Sequence, residues 1–195
     1  MSAESRIALI ALGSNVESDW GDARETVQKA MLAVAEMSEK PPRLSSLYAT
    51  PAFPAGSGPD FVNAGVVIFT KLSAGDLLGR LHAIEAGAGR VRTHRWGQRT
   101  LDLDLIALGD AVLPNAETQT HWRNLSLTDQ QALTPPDIIL PHPRLQDRAF
   151  VLIPMRDVAA AWTHPLLGRS IAQFCAELPD GALADVIRLN DSGNP

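Results

Sequence analysis

Cysteine is nearly absent from this chain. Cys175 is the single one, which excludes an internal disulfide and a cysteine-rich zinc site. Its apolar, helical neighbourhood points to a buried structural thiol rather than a nucleophile. Also missing is any apolar run approaching the ~20 residues of a membrane helix. The polar residues 1–6 lead directly into a short apolar stretch, without the layout of a signal peptide. Positive charge is in deficit, with 17 Lys and Arg against 22 Asp and Glu and a formal net charge of −5. That balance argues against general nucleic-acid binding and against an anionic membrane surface. Internal repeats and low-complexity segments are lacking. The expectation is a soluble, cytoplasmic protein with no nucleic-acid or membrane partner.

What is present fits one globular unit. A chain of 195 residues, 45% hydrophobic and 20% charged, can bury a substantial core. No linker is long enough to separate two domains, so residues 1–195 are expected to form a single domain with its core over about 7–190. Residues 7–12 are apolar and stop at Gly13-Ser14-Asn15, which reads as a buried strand entering a structural turn. Ala23, Val27, Ala30, Met31 and Val34 recur at helical spacing, predicting a helix over roughly 19–38 with Ser18 and Asp19 as candidate caps. A second strand is expected over 44–50, a proline- and glycine-rich loop over 51–59, and a third strand over 61–70. Ser73 to Asp76 resembles a capping box, and Leu77, Leu78, Leu81 and Ile84 form the apolar stripe behind it. A fourth strand over 100–108 follows a loop at 90–98, and Ala111 to Leu113 reads as its hairpin partner.

The order β-α-β-β-α-β predicts an α+β, ferredoxin-like core with a mainly antiparallel sheet and helices on its face. Residues 114–136 read as a polar surface insertion carrying Trp122, with a short helix near 125–133. Additional C-terminal helices are expected: one over about 145–160, interrupted by Pro154, and one capped by Ser170 and running to about 177. A closing strand over 183–189 completes the reading.

Chemistry concentrates in Arg95-Trp96-Gly97-Gln98-Arg99-Thr100-Leu101-Asp102-Leu103-Asp104-Leu105-Ile106. Leucine and aspartate alternate strictly, so on a strand Asp102 and Asp104 share one face and the leucines the other. The carboxylates then lie about 6–7 Å apart, from a rise of roughly 3.3 Å per residue. One reading is an acidic edge in water; the other is a divalent-cation site, since hard cations such as Mg²⁺ take oxygen ligands. Arg90, Arg92, Arg95 and Arg99 crowd the preceding loop. A guanidinium donates paired hydrogen bonds to phosphate, although a basic loop in water has the same composition. Trp96 is either a lid over a planar ligand or an anchor for the loop.

The twelve-residue stretch closely resembles the signature of the 6-hydroxymethyl-7,8-dihydropterin pyrophosphokinases, the HPPK family. Other family marks follow in order: Ala11-Leu12-Gly13-Ser14-Asn15, Tyr48-Ala49-Thr50-Pro51, Asp60-Phe61-Val62-Asn63-Ala64, Ile84-Glu85 and Gly89-Arg90-Val91-Arg92. Leu140-Pro141-His142-Pro143-Arg144-Leu145 and Asp147-Arg148-Ala149-Phe150 complete the set. Each is short, and together they span roughly residues 7–160.

The resemblance implies transfer of the pyrophosphoryl group of ATP to the pterin hydroxymethyl, with release of AMP, in folate biosynthesis. It implies two Mg²⁺ ions on Asp102 and Asp104, and ATP as co-substrate. Arg90, Arg92 and Arg99 match catalytic and phosphate-binding positions. Arg95, Trp96, Glu85, His82, His142 and Arg148 match the ATP side. Thr50, Pro51, Phe53, Phe61, Asn63, Trp96 and Phe150 match the pterin pocket, where aromatic rings stack and an amide offers both donor and acceptor. Taken singly, the phenylalanines also fit core packing, His142 a turn and Arg148 a helix surface. Departures are Phe61 where some members have tyrosine, His82 where glutamine is common, a shorter 92–96 loop, and the longer insertion at about 114–136. The enzyme is expected to be monomeric. Two other readings fit the same residues: a non-catalytic ferredoxin-like binding module, and a Mg²⁺-dependent phosphotransferase with another acceptor.

Overall fold

In a computed structural model, residues 4–52, 58–89 and 100–190 are described. The first strand, β1 (Arg6–Ser14), is apolar from Ile7 to Leu12 and runs through the interior of the sheet. It pairs antiparallel with β4 (Phe61–Thr70) on one side and β5 (Asp102–Leu108) on the other. β4 in turn pairs with β2 (Arg43–Leu44) and β3 (Tyr48–Thr50), and β3 with the short β6 (Ile187–Arg188). The order β5-β1-β4-β3-β6 is the expected antiparallel ferredoxin-like arrangement, extended by one strand.

Alternation along the central strands divides the core in two. Ala8, Ile10 and Leu12 of β1 and Leu103 and Leu105 of β5 face the helices α1 (Ala23–Ala35) and α2 (Ala74–Gly87). Leu9, Ala11, Val67 and Ile106 face the opposite way, into a second apolar cluster with α5 (Ala149–Ala159) and α6 (Ile171–Ala176). Both faces of the sheet are therefore covered along this stretch, which is why residues 7–12 of β1 are apolar without interruption rather than alternating with polar ones. Leu9, Ile10, Leu77, Leu81 and Leu152 are fully buried, each contributing about 1.5–3 kcal/mol by burial.

Several boundaries differ from expectation for identifiable reasons. Helix α1 starts at Ala23, later than Ser18 and Asp19 suggest, because Ser18 and Gly21 close a tight turn through paired backbone hydrogen bonds of 2.9 and 3.1 Å. Its cap is Asp22, which accepts from the backbone N–H of Glu25 while the Glu25 carboxylate accepts from that of Asp22. The strand expected over 44–50 is broken because the Ser45 hydroxyl, rather than a backbone carbonyl, accepts from Gly65 N–H at 2.8 Å. Ala111 to Leu113 form no hairpin. Leu113 instead exchanges backbone bonds with Leu140, and His142 N–H reaches Ile106 O at 2.8 Å, taking the edge of β5 that a hairpin would use.

The insertion contains two helices, α3 (Ala116–Asn124) and α4 (Leu127–Ala132), of which only the second was anticipated. Pro154 does not interrupt α5 but lies inside it. Of the closing strand over 183–189 only Ile187 and Arg188 form, preceded by a short helix α7 (Asp180–Ala184). No described helix is long and apolar enough to cross a membrane.

Helix α5 packs directly on β4 at Gly65. A Cβ there would lie 3.2 Å from Met155 Cε, 3.2 Å from the Pro154 carbonyl carbon and 3.3 Å from Met155 N. Backbone cannot yield as a side chain does, so Gly65→Val is expected to destabilise the protein by about 1–3 kcal/mol. A lowered urea midpoint would show it; an unchanged or raised midpoint would refute the close packing.

Candidate active site

At one end of the sheet, on its α5 face, register decides which side chains stand together. Gly13 of β1 is paired with Asn63 of β4 on one side and with Asp102 of β5 on the other. Asn63 is paired with Tyr48, and Thr50 with Phe61. Residues paired across an antiparallel ladder project to the same face. Asp102, Asp104, Asn63, Phe61 and Thr50 consequently share one face, while Leu101, Leu103 and Leu105 enter the core on the other. Asp102 and Asn63 stand two strands apart, about 10 Å at a spacing of roughly 4.8 Å per strand.

Between them lies Gly13. A Cβ on it would come within 3.1 Å of Asn63 Oδ1 and 3.9 Å of Phe61 Cδ1. Its missing side chain is thus part of the cleft floor, a role the sequence reading, which took Gly13-Ser14-Asn15 as a structural turn, did not give it. The buried Asn63 amide donates to Thr50 Oγ1 at 2.8 Å, which fixes the amide with its oxygen toward Gly13. The next two residues reach the flanking segments. Ser14 Oγ donates to Thr100 O at 2.6 Å, just before β5, and Asn15 Nδ2 to Pro59 O at 3.3 Å, just before β4.

The acidic end carries its own cations. Arg148, the residue preceding α5, places Nη1 3.8 Å from Asp104 Oδ2, and its guanidinium lies 5.7 Å from the ring centre of the exposed Phe150. His142 sits beside this group. Its Nδ1 accepts from the backbone N–H of Arg144 at 3.1 Å, so the neutral ring carries its proton on Nε2. Burial, and next the positive charge of Arg148, hold this histidine down at about 3 against an ordinary 6.5, with Asp102 pulling the other way. At neutral pH it is a hydrogen-bond donor without charge.

Glu85 and His82, both on α2, do not join this face. Glu85 is buried and accepts from Leu103 N–H at 2.8 Å, satisfying the outward edge of β5 between the two aspartates. His82 is exposed on the helix. Pro51 follows β3 directly and is exposed. Arg90, Arg92, Arg95, Trp96, Arg99 and Phe53 lie outside the described residues. Among the described residues no three His, Cys, Asp or Glu side chains converge as a metal cage. The oxygen donors of Asp102 and Asp104 would suit a hard divalent cation such as Mg²⁺.

Fold and face together define a ferredoxin-like domain with a carboxylate pair and a polar, aromatic-flanked cleft at one end of the sheet. The family model for 7,8-dihydro-6-hydroxymethylpterin-pyrophosphokinase (HPPK) matches residues 9–160. A 2-amino-4-hydroxy-6-hydroxymethyldihydropteridine pyrophosphokinase of Synechocystis sp. is 34% identical over 172 residues, 88% of this chain and 75% of that one. Its namesake in Pseudomonas aeruginosa is 35% identical over 171 residues, 87% of this chain and 90% of that one. The wild-type Plasmodium falciparum HPPK-DHPS structure with pteroate matches in fold with a TM-score of 0.60 at 13% identity. That match covers 91% of this chain and 43% of the longer one, so this chain spans less than half of it. The chain belongs to the HPPK family.

His164, fully buried, is held down at about 4 by burial and by Arg123, while its Nδ1 accepts from Leu166 and Leu167 N–H. For both histidines the folded value lies below the unfolded one. The unfolded chain therefore binds protons that the fold refuses, and stability present above pH ~6.5 is lost as pH falls toward the folded values. The slope reaches about 1.4 kcal/mol per pH unit for each such group. The urea midpoint should fall between pH 7.5 and 5.5, and less steeply in His164→Asn, whose amide oxygen still accepts from the loop. Equal midpoints at the two pH values in the unmodified protein would contradict this.

Proposed function

We propose that this chain transfers the pyrophosphoryl group of ATP to the hydroxymethyl of 6-hydroxymethyl-7,8-dihydropterin, giving the pterin diphosphate and AMP for folate biosynthesis. The observation that carries the reading is the row Asp102, Gly13, Asn63. It puts a carboxylate pair fit for Mg²⁺ and an amide fit for a pterin edge on one face, about 10 Å apart. That separation accommodates the hydroxymethyl arm of a pterin lying over Gly13 and reaching toward the aspartates.

Each end has a defined part. Asn63 and Thr50 present an oriented acceptor and a hydroxyl to the heterocycle, and Phe61 and Phe150 offer aromatic faces on either flank. Asp102 and Asp104 hold the metal, with two ions as the family resemblance implies. Magnesium, when bound there, supplies positive charge to the phosphate oxygens and orients the acceptor. The Nε2–H of His142 donates to a phosphate oxygen without adding charge, and Arg148 adds a cation beside Asp104. The sequence motif adds Arg90, Arg92, Arg95, Arg99 and Trp96 to the ATP side, with Glu85 acting on it through the β5 backbone. The enzyme works in this reading as a cytoplasmic monomer.

Incubation with ATP, Mg²⁺ and the reduced pterin should release AMP and no ADP. Asp102→Ala and Asp104→Ala are each expected to lower kcat by at least about a thousandfold, the equivalent of several kcal/mol of lost charge stabilisation, with the fold intact by circular dichroism. ADP as product, or full turnover in both variants, would overturn the assignment.

A further inference from the structure

We propose that Gln119, on the insertion helix α3, is a positioning residue that sets the orientation of His142 toward ATP. The inference rests on the role given above to His142. Helix α3 is polar and mostly exposed, and Gln119 is its buried residue, with no accessible surface. The amide is used at both ends. Nε2 donates to Pro141 O at 3.1 Å, and Oε1 accepts from Arg123 Nη1 at 3.3 Å, one helical turn further on.

Pro141 O belongs to the peptide group whose other end is the N–H of His142. That N–H donates to Ile106 O, two residues beyond Asp104 on β5. One peptide plane is thus gripped from opposite sides, by the strand that carries the aspartates and by the insertion. The Arg144 N–H on Nδ1 then fixes the ring on that plane. The Leu113–Leu140 pairing closes the base of the same arrangement by tying the start of the insertion to the residue before Pro141. With the Gln119 donor gone, the Pro141 carbonyl has no side-chain amide to hold it, and the His142 plane is free to tilt. Small displacements of a positioned group carry large kinetic penalties, up to about a hundredfold for 1 Å.

The test is a double-mutant cycle on the full chain, with steady-state kinetics for ATP and for pterin. Gln119→Leu keeps the burial and Gln119→Glu keeps the length and the Arg123 partner; both lack the N–H donor. Both are expected to lose about tenfold in kcat/KM for ATP while the KM for pterin stays unchanged. Neither should lower activity further in a His142→Ala background, because the two residues act through one contact. Normal ATP kinetics in the two Gln119 variants, or losses that multiply with His142→Ala, overturn the proposal. If His142→Ala itself leaves ATP kinetics unchanged, the role of His142 fails and the proposal falls with it. If that variant is impaired and the Gln119 variants are not, only the positioning role fails. Gln119→Glu separates loss of the donor from loss of the fold, since its melting temperature reports folding independently of rate.

Discussion

The pairing of one glycine with two strands at once is the constraint on which the rest depends. Gly13 carries the backbone ladder from Asn63 to Asp102, and because side-chain direction alternates, a slip of one residue in either ladder would send half of the cleft into the core. The slip is opposed by the burial of Ala8, Ile10 and Leu12 on one side and Leu9 and Ala11 on the other. Hydrophobic burial and site geometry are therefore set by the same register.

The electrostatic design of the cleft follows from which groups are neutral. Asp104 meets Arg148 at a loose 3.8 Å rather than in a tight bidentate pair. His142 nearby is kept uncharged by burial and by that same arginine. A neutral imidazole donates a hydrogen bond without adding positive charge beside the aspartates. Tyr48, in the row of Asn63, is kept protonated in a similar way. Burial and the adjacent Asp157, which accepts its hydroxyl proton at 2.9 Å, push it up to about 12.

Much of this was legible in the residues. Alternation of leucine and aspartate implies the two-faced β5, and the spacing of apolar residues gives α1, α2 and the sheet order through the βαββαβ pattern. Leu77, Leu81 and Glu85 stand four residues apart, so the burial of Glu85 could be read too, although its partner, a backbone N–H of another strand, could not. The functions of Gly13 and Ser14 depend on ladder register and on contacts as distant in sequence as Ser14 and Thr100, which no local pattern encodes. Helix α3 escaped notice because it has no apolar stripe: what it buries is one amide. The break between β2 and β3 turns on a single serine hydroxyl, a competition between side chain and backbone that propensity does not rank.

The central place of β1 has a consequence for how the molecule comes into being. β1 precedes both of its ladder partners in the chain, which arrive much later, with β4 and then with β5. Until residue 108 has left the ribosome, the edge of β1 that will face β5 is an open row of backbone donors and acceptors. Contacts of such sequence separation slow folding, because loop closure must precede the stabilisation it brings. The row is therefore completed in stages: the Asn63 side can form once β4 has met β1, and the aspartate side only when β5 has joined them.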